Sequence, residues 1–224
     1  MKGSGRGAYT ADRAAALSGV PRSTVHYWSR HSVLVPSVSP TKVKLWSYTD
    51  LMGLRTIYWL RQRKITSSGC DIPATTMPAV RRALNALAEL DLDLWTEDGR
   101  PSVRVDPSGK IYIVTDAGPE TLASERPLDP DMFDLIAPFK ETRVARGPDL
   151  QAPRPHLRIV PGKLSGSPHI VHSRIETLTV AALAARGYDT ERIQRFYPHV
   201  TPIIAFAEAV DLERQLTENL RAAA

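Results

Sequence analysis

Residues 9–36 read YTADRAAALSGVPRSTVHYWSRHSVLVP, and this stretch decides the N-terminal fold. Residues 10–17 predict a short helix. Thr10 suits its N-cap, Asp12 falls in the first turn, and the alanines with Leu17 supply helix propensity and a small packing face. Gly19 is free to take φ > 0 and break that helix, and Pro21 suits the first turn of a second one, RSTVHYWSR. Two short helices about a glycine turn are a helix-turn-helix signature. Residues 33–46, VLVPSVSPTKVKLW, are rich in β-branched side chains and interrupted by Pro36 and Pro40. They predict a two-stranded wing with a loop at Ser37–Thr41.

Farther along, Ser47 caps a helix whose Leu51, Leu54, Ile57, Tyr58 and Leu60 fall at i, i+3 and i+4 spacing. Arg55, Arg61, Arg63 and Lys64 are expected on its other face. Pro78 opens a further helix, AVRRALNALAEL, and residues 103–114 alternate about a D-P-S-G turn as a hairpin. Residues 115–156 hold seven prolines and many acids, and read as a linker with at most one short helix near Met132–Phe139. Residues 157–166 suggest a strand and turn, and 175–186 an amphipathic helix ended by Gly187. Thr190 is expected to cap the next helix, Pro198 to stop it, and Thr201-Pro202 to start a last one running to about Asn219. The two trihelical regions share no motif. The expected fold is mainly α with small β elements. It comprises a winged helix-turn-helix domain (1–70), a helix plus β-hairpin extension (71–114), an acidic Pro-rich linker (115–156) and a trihelical, helix-turn-helix-like domain (157–224).

Composition narrows the function. Of 224 residues, 42% are apolar and 24% charged, ordinary for a globular protein, and no apolar run approaches the ~20 residues that span a bilayer. The start MKGSGRGAYTADR has no apolar core behind its basic residues, so no secretory signal is expected. A single cysteine, Cys70, excludes a disulfide framework, and a reducing cytoplasm is the expected location. The formal charge of +5 is unevenly spread. Residues 1–69 carry eleven Lys/Arg and two acids, a net of +9, against −4 for the remainder and −8 within 89–134. A basic end joined to an acidic middle suits an anion-binding module with a separate partner-binding region.

The elements Tyr9-Thr10, Gly19-Val20, Thr24, Tyr27-Trp28, Leu34-x-Pro36 and Trp46-Ser47-x-x-Asp50-Leu51 resemble the winged helix-turn-helix domain of MerR-type regulators. Leu54-Arg55, Ile57 and Leu60-Arg61 continue the pattern over roughly residues 9–65. The resemblance implies that the second helix enters the major groove of double-stranded operator DNA, with the wing on phosphates. Thr10, Arg22, Ser23, Thr24, His26, Tyr27, Lys42 and Lys44 are then the DNA-binding candidates. Arg22 and Ser23 suit a base edge or a phosphate, and Tyr27 the backbone. Val25 and Trp28 read as core. Lys44 stands where the family usually has arginine, which favours a point-charge phosphate contact, and His26 also replaces a common arginine. The long coiled-coil helix and effector site usual in such sensors are not evident, and one cysteine makes thiolate metal sensing an unsuitable role.

Residues 157–214, through Val160-Pro161-Gly162, Gly166-x-Pro168-x-Ile170, Arg174-Ile175, Gly187 and Tyr197-Pro198-His199-Val200-Thr201, resemble a small trihelical domain of uncharacterised function found in VapB-like type II antitoxins. That resemblance implies a PIN-type ribonuclease toxin as partner, with the chain acting as a homodimer that represses its own operon. A stand-alone MerR-like regulator without a toxin is the alternative. His156, His169, His172 and His199 fall in loops without obvious carboxylate company, and His169 and His172 are expected on opposite faces of an extended segment. Asp91, Asp93, Asp129, Asp131 and Asp134 resemble Mg²⁺ ligands in type, but no apolar strand presents them. No nucleophile–base pair or nucleotide loop occurs, so neither enzymatic activity nor a cofactor or metal is expected.

Overall fold

The computed structural model describes residues 6–99, 102–115, 118–121 and 131–222. Helix α1 (Ala11–Ser18) begins where Thr10 Oγ1 accepts the Arg13 N–H at 3.3 Å, and it ends at Gly19, whose φ of 76° lets its N–H bond Ala15 O. Helix α2 (Arg22–Arg30) follows Pro21. Helix α3 (Tyr48–Leu60) opens with a capping box in which Ser47 Oγ takes the Asp50 N–H and the Asp50 carboxylate takes the Ser47 N–H. The two-stranded wing expected between α2 and α3 contracts to one antiparallel bridge, Ser39 with Leu45. Pro36 and Pro40 cannot donate to a ladder, so side chains tie this loop instead. The Ser37 N–H donates to Asp50 Oδ2 at 2.9 Å, and the Ser37 hydroxyl lies 2.8 Å from the same oxygen.

Strands β1 (Lys64–Ile65) and β2 (Asp71–Ile72) pair before helix α4 (Met77–Ala88), which packs on α3. A hairpin of β3 (Ser102–Val105) and β4 (Ile111–Thr115) pairs Val103 with Ile113, as its alternation predicts. With β5 (Gly118–Thr121) and β6 (Phe133–Asp134) it forms an antiparallel sheet of order β5-β4-β3-β6. The helix expected near Met132–Phe139 is not formed; β6 and β7 (Phe139–Lys140) take its place, the latter paired with β8 (Arg146–Gly147). Asp134 Oδ1 accepts the N–H groups of Ile136 and Ala137 at 2.9 and 3.2 Å, which turns the chain out of a helical path, and Pro138 follows. Residues 131–156, expected as linker, are packed, with Leu135, Ile136, Phe139, Ala145 and Leu150 buried. Residues 116–117 and 122–130 of the expected 115–156 linker, Asp129 among them, lie outside the described residues.

One side chain explains much of this packing. Arg55, expected on the face of α3 opposite its leucines, is fully buried and donates to carbonyls of Leu17, Ser18, Leu135, Ile136, Ala137 and Pro148 at 2.5–3.4 Å. Its planar fork of five N–H donors suits convergent carbonyls, and two of them are orphan acceptors at the α1 C-terminus. Burial pulls the guanidinium down to about 10, against the nearby Tyr48, Asp149 and Asp134, so it stays charged at neutral pH. Gly147 sits beside it. A Cβ there would lie 2.7 Å from Leu17 O and 2.9 Å from Arg55 Nη2.

The C-terminal part contains β9 (Leu157–Arg158), β10 (His169–Ile170) and helices α5 (Thr177–Ala185), α6 (Thr190–Phe196) and α7 (Ile204–Ala222). Asp189, rather than Thr190, caps α6, its carboxylate accepting the Arg192 N–H at 2.7 Å. This part does not stand apart from the helix-turn-helix. Helix α7 packs on α1, the Tyr9 hydroxyl donates to Gly166 O at 2.8 Å, and the Tyr48 hydroxyl donates to Leu150 O at 2.9 Å. Buried side chains from Tyr9 to Leu216 form one continuous core.

Candidate nucleic-acid interface

Helix α2 divides cleanly into two sides. Val25 and Ser29 are buried on the side of α2 that packs on α1, whereas Arg22, Ser23, Tyr27 and Arg30 are exposed and His26 is half-buried. At ~100° per residue, 22, 23, 26, 27 and 30 fall within an arc of about 140°. The candidates therefore share one solvent face, to which Arg30 adds a cation that the sequence reading omitted. The i, i+4 and i+7 spacing from Ser23 would have found it. Trp28 is half-buried against the core, as expected of a packing residue. Thr24 is half-buried and lies off this arc, and Thr10 is exposed with its hydroxyl engaged as the α1 cap. Tyr27 stacks on His31 with ring centroids 4.0 Å apart, and the His31 ring nitrogen lies 2.9 Å from Tyr27 O.

Several of the eleven cations in residues 1–69 are already paired or buried. Arg22 pairs with Asp12 at 2.6 Å, Arg13 with Glu213, Arg63 with Asp71 and Arg6 with Asp93, while Arg55 is buried. Lys44 Nζ donates to Ser29 Oγ at 2.7 Å, so this ammonium braces the wing against α2. Among the described residues, Arg30 and Lys42 are exposed cations of this surface with no carboxylate partner. An anion reaching this surface meets those two first, whereas Arg22 and Lys44 share their donors with Asp12 and Ser29. Beneath the wing, Asp50 is buried, and burial raises its carboxyl above the ordinary value although the Ser37 and Ser47 hydrogen bonds pull it down.

The remaining candidates have structural surroundings. His169 and His172, expected to diverge, both reach Glu97: His169 Nε2 lies 2.9 Å from Oε1 and His172 Nδ1 3.0 Å from Oε2. The positive φ of His172 (54°) turns the segment back, which a strand model omits. Lys163 joins the same carboxylate, and His156 pairs with Glu208 at 2.9 Å. Burial alone would raise Glu97, but the hydrogen bonds from Lys163, His169 and the His172 N–H hold its carboxyl at about 2. The aspartates are dispersed. Asp91 accepts the Asp93 N–H, Asp131 accepts the Ser67 N–H at 2.6 Å, and Asp134 accepts two N–H groups and the Ser102 hydroxyl. Among the described residues, no group of three His, Cys, Asp or Glu is placed to hold a metal, and no helix is long and apolar enough to cross a membrane.

A two-helix reading head on a third helix, with a wing beside it, is the architecture of a duplex-DNA-binding module. Residues 9–72 match the family described as MerR HTH family regulatory protein, and residues 158–207 match the family described as Protein of unknown function (DUF433). The chain thus carries an N-terminal MerR-type helix-turn-helix domain, that of a DNA-binding regulator, fused to a C-terminal DUF433 domain. No curated protein and no solved structure matches it significantly.

Proposed function

We propose that the protein is the DNA-binding antitoxin of a type II toxin–antitoxin pair, which represses its own operon through α2 and the wing and neutralises a PIN-type ribonuclease toxin. The observation that carries the DNA half is the common solvent face of Arg22, Ser23, His26, Tyr27 and Arg30, with Lys42 beside it. The toxin half rests on the resemblance of residues 157–214 to antitoxin-associated domains. A symmetric dimer on a palindromic operator is the expected assembly, and the cytoplasm is the expected location.

The test is co-expression of the tagged full-length chain with the product of the adjacent reading frame, and titration of the duplex upstream of its own coding sequence. A stable complex, loss of ribonuclease activity in the neighbour and salt-sensitive DNA binding are expected. Absence of both complex and inhibition removes the antitoxin half and leaves the stand-alone regulator. That second reading has one observation in its favour, a cleft of about 400 Å³ between residues 32–37, α3 and α4. Its walls include Val33, Leu34, Leu84 and Leu87, with Arg81 and Asn85 at hand, and cavities of that size accommodate small ligands.

A further inference from the structure

We propose that α6 and the turn before it form a second duplex-DNA contact, separate from α2. The segment α5, residues 186–189 and α6 has the same order of elements as α1, residues 19–21 and α2 without sharing a sequence motif with it. In each, a helix of eight or nine residues ends at or beside a left-handed glycine, Gly19 at 76° and Gly187 at 85°. In each, the fourth residue of the second helix is a buried branched aliphatic, Val25 or Ile193. A longer helix then closes the unit, α3 in the first case and α7 in the second.

The solvent face of α6 has the chemistry of a polyanion contact. Glu191, Arg192, Arg195 and Phe196 are exposed and span an arc of about 140° opposite Gln194 and Ile193. Arg186 is exposed in the turn. Among the described residues, none of Arg186, Arg192 and Arg195 pairs with a carboxylate, unlike Arg13, Arg22, Arg63, Arg154 and Arg214. The Arg192 guanidinium lies 4.1 Å from the centre of the Tyr188 ring, which Phe196 meets edge-on at 5.8 Å, so the ladder holds Arg192 in place. Of the acids of this segment, Asp189 is engaged as the cap, and Glu191 can accept from a cytosine amino group. Several arginines without a carboxylate partner on the second helix of such a unit suit phosphates and guanine edges. Because α7 also packs on α1, both heads ride on one body.

The test is fluorescence anisotropy of the full chain on a labelled random duplex of about 40 base pairs across a salt series, where each phosphate contact contributes about −0.9 to the slope of log K on log salt. R192A/R195A is expected to flatten the slope by about 1.8, while R192K/R195K keeps most of it. R30A/K42A, on the α2 surface, should flatten it independently. Equal thermal unfolding of all variants confirms that the fold is intact. Parental affinity and slope in R192A/R195A, with R30A/K42A weakened, would overturn the second contact and make α6 a protein-facing surface. Loss in R192A/R195A alone would sustain this inference and remove the α2 reading. No duplex binding by the parent chain overturns both.

Discussion

Arg13 on α1 and Glu213 on α7, two hundred positions apart, form a two-point ion pair: Nη1 to Oε2 at 2.6 Å and Nη2 to Oε1 at 2.7 Å. Glu213 is buried and also accepts the Thr177 hydroxyl from α5. The pair therefore joins the supporting helix of the DNA-binding head to two helices of the C-terminal domain. Removing Arg13 leaves a buried carboxylate without its cation. R13A should lower unfolding free energy by about 3 kcal/mol, the low end for a broken buried pair. Urea unfolding of R13A, E213A and the double variant should show strong coupling, and additive losses would contradict it.

Arg55 is the more severe case. R55M removes the Arg55 donors from six carbonyls, of which Ile136 O keeps the Leu150 N–H, at a cost of roughly 1–3 kcal/mol for each acceptor left without a partner that water cannot reach. Such a variant should be recovered unfolded or proteolytically labile. R55K keeps the charge but not the fork and should be intermediate. Circular dichroism and limited proteolysis separate the three outcomes.

Gly147 approaches the turn of the reading head without needing a left-handed φ, so its role is steric. G147A forces a methyl against Leu17 O and Gly19 N at 2.7–2.8 Å and must push β8 away from α1. Weaker duplex binding is expected together with lowered stability, although residue 147 lies far along the chain from α2. Unchanged thermal unfolding and DNA affinity would show that the contact relaxes without cost.

The acid response follows from Glu97. Its carboxyl sits at about 2 in the fold against 4.5 as the ordinary value, because Lys163, His169 and the His172 N–H outweigh the effect of burial. Depression in the folded state means that this contribution is fully present above pH 4.5 and is lost as pH falls toward 2. E97Q should be less stable than the parent at neutral pH, and the difference should shrink through that window. Urea midpoints at pH 7, 4.5 and 3 check the sign.

On the wing, Lys42 and Lys44 should not behave alike. Lys42 is exposed, whereas Lys44 is bonded to Ser29 across the loop. K42A is expected to lower the salt slope of duplex binding by about 0.9 with no change in stability. K44A should instead lower stability, with a smaller effect on the slope. The reverse ranking in an anisotropy series would contradict this assignment.

Local chemistry was legible without coordinates. Thr10, Gly19, Ser47 with Asp50, and the 103–114 hairpin act within a few residues of themselves, so caps, turns and alternation declare them. The solvent face of α2 was nearly legible too, since helical spacing alone separates Val25 from Ser23 and Tyr27. Arg55, the aspartates and the histidines were not. Whether an arginine is solvated or buried among carbonyls depends on chain that arrives eighty or more positions later, and His172 meets Glu97 across seventy-five positions. Pro-rich 131–156 misled for the same reason: prolines forbid regular ladders, but they do not forbid burial when another part of the chain offers a surface.

The sequence by itself therefore determined the two sets of helices, the caps of α1 and α3, and the charge each set carries. Tertiary structure decided which charges remain available to a partner, because ion pairing and burial depend on distance in space and the chain carries no local record of it.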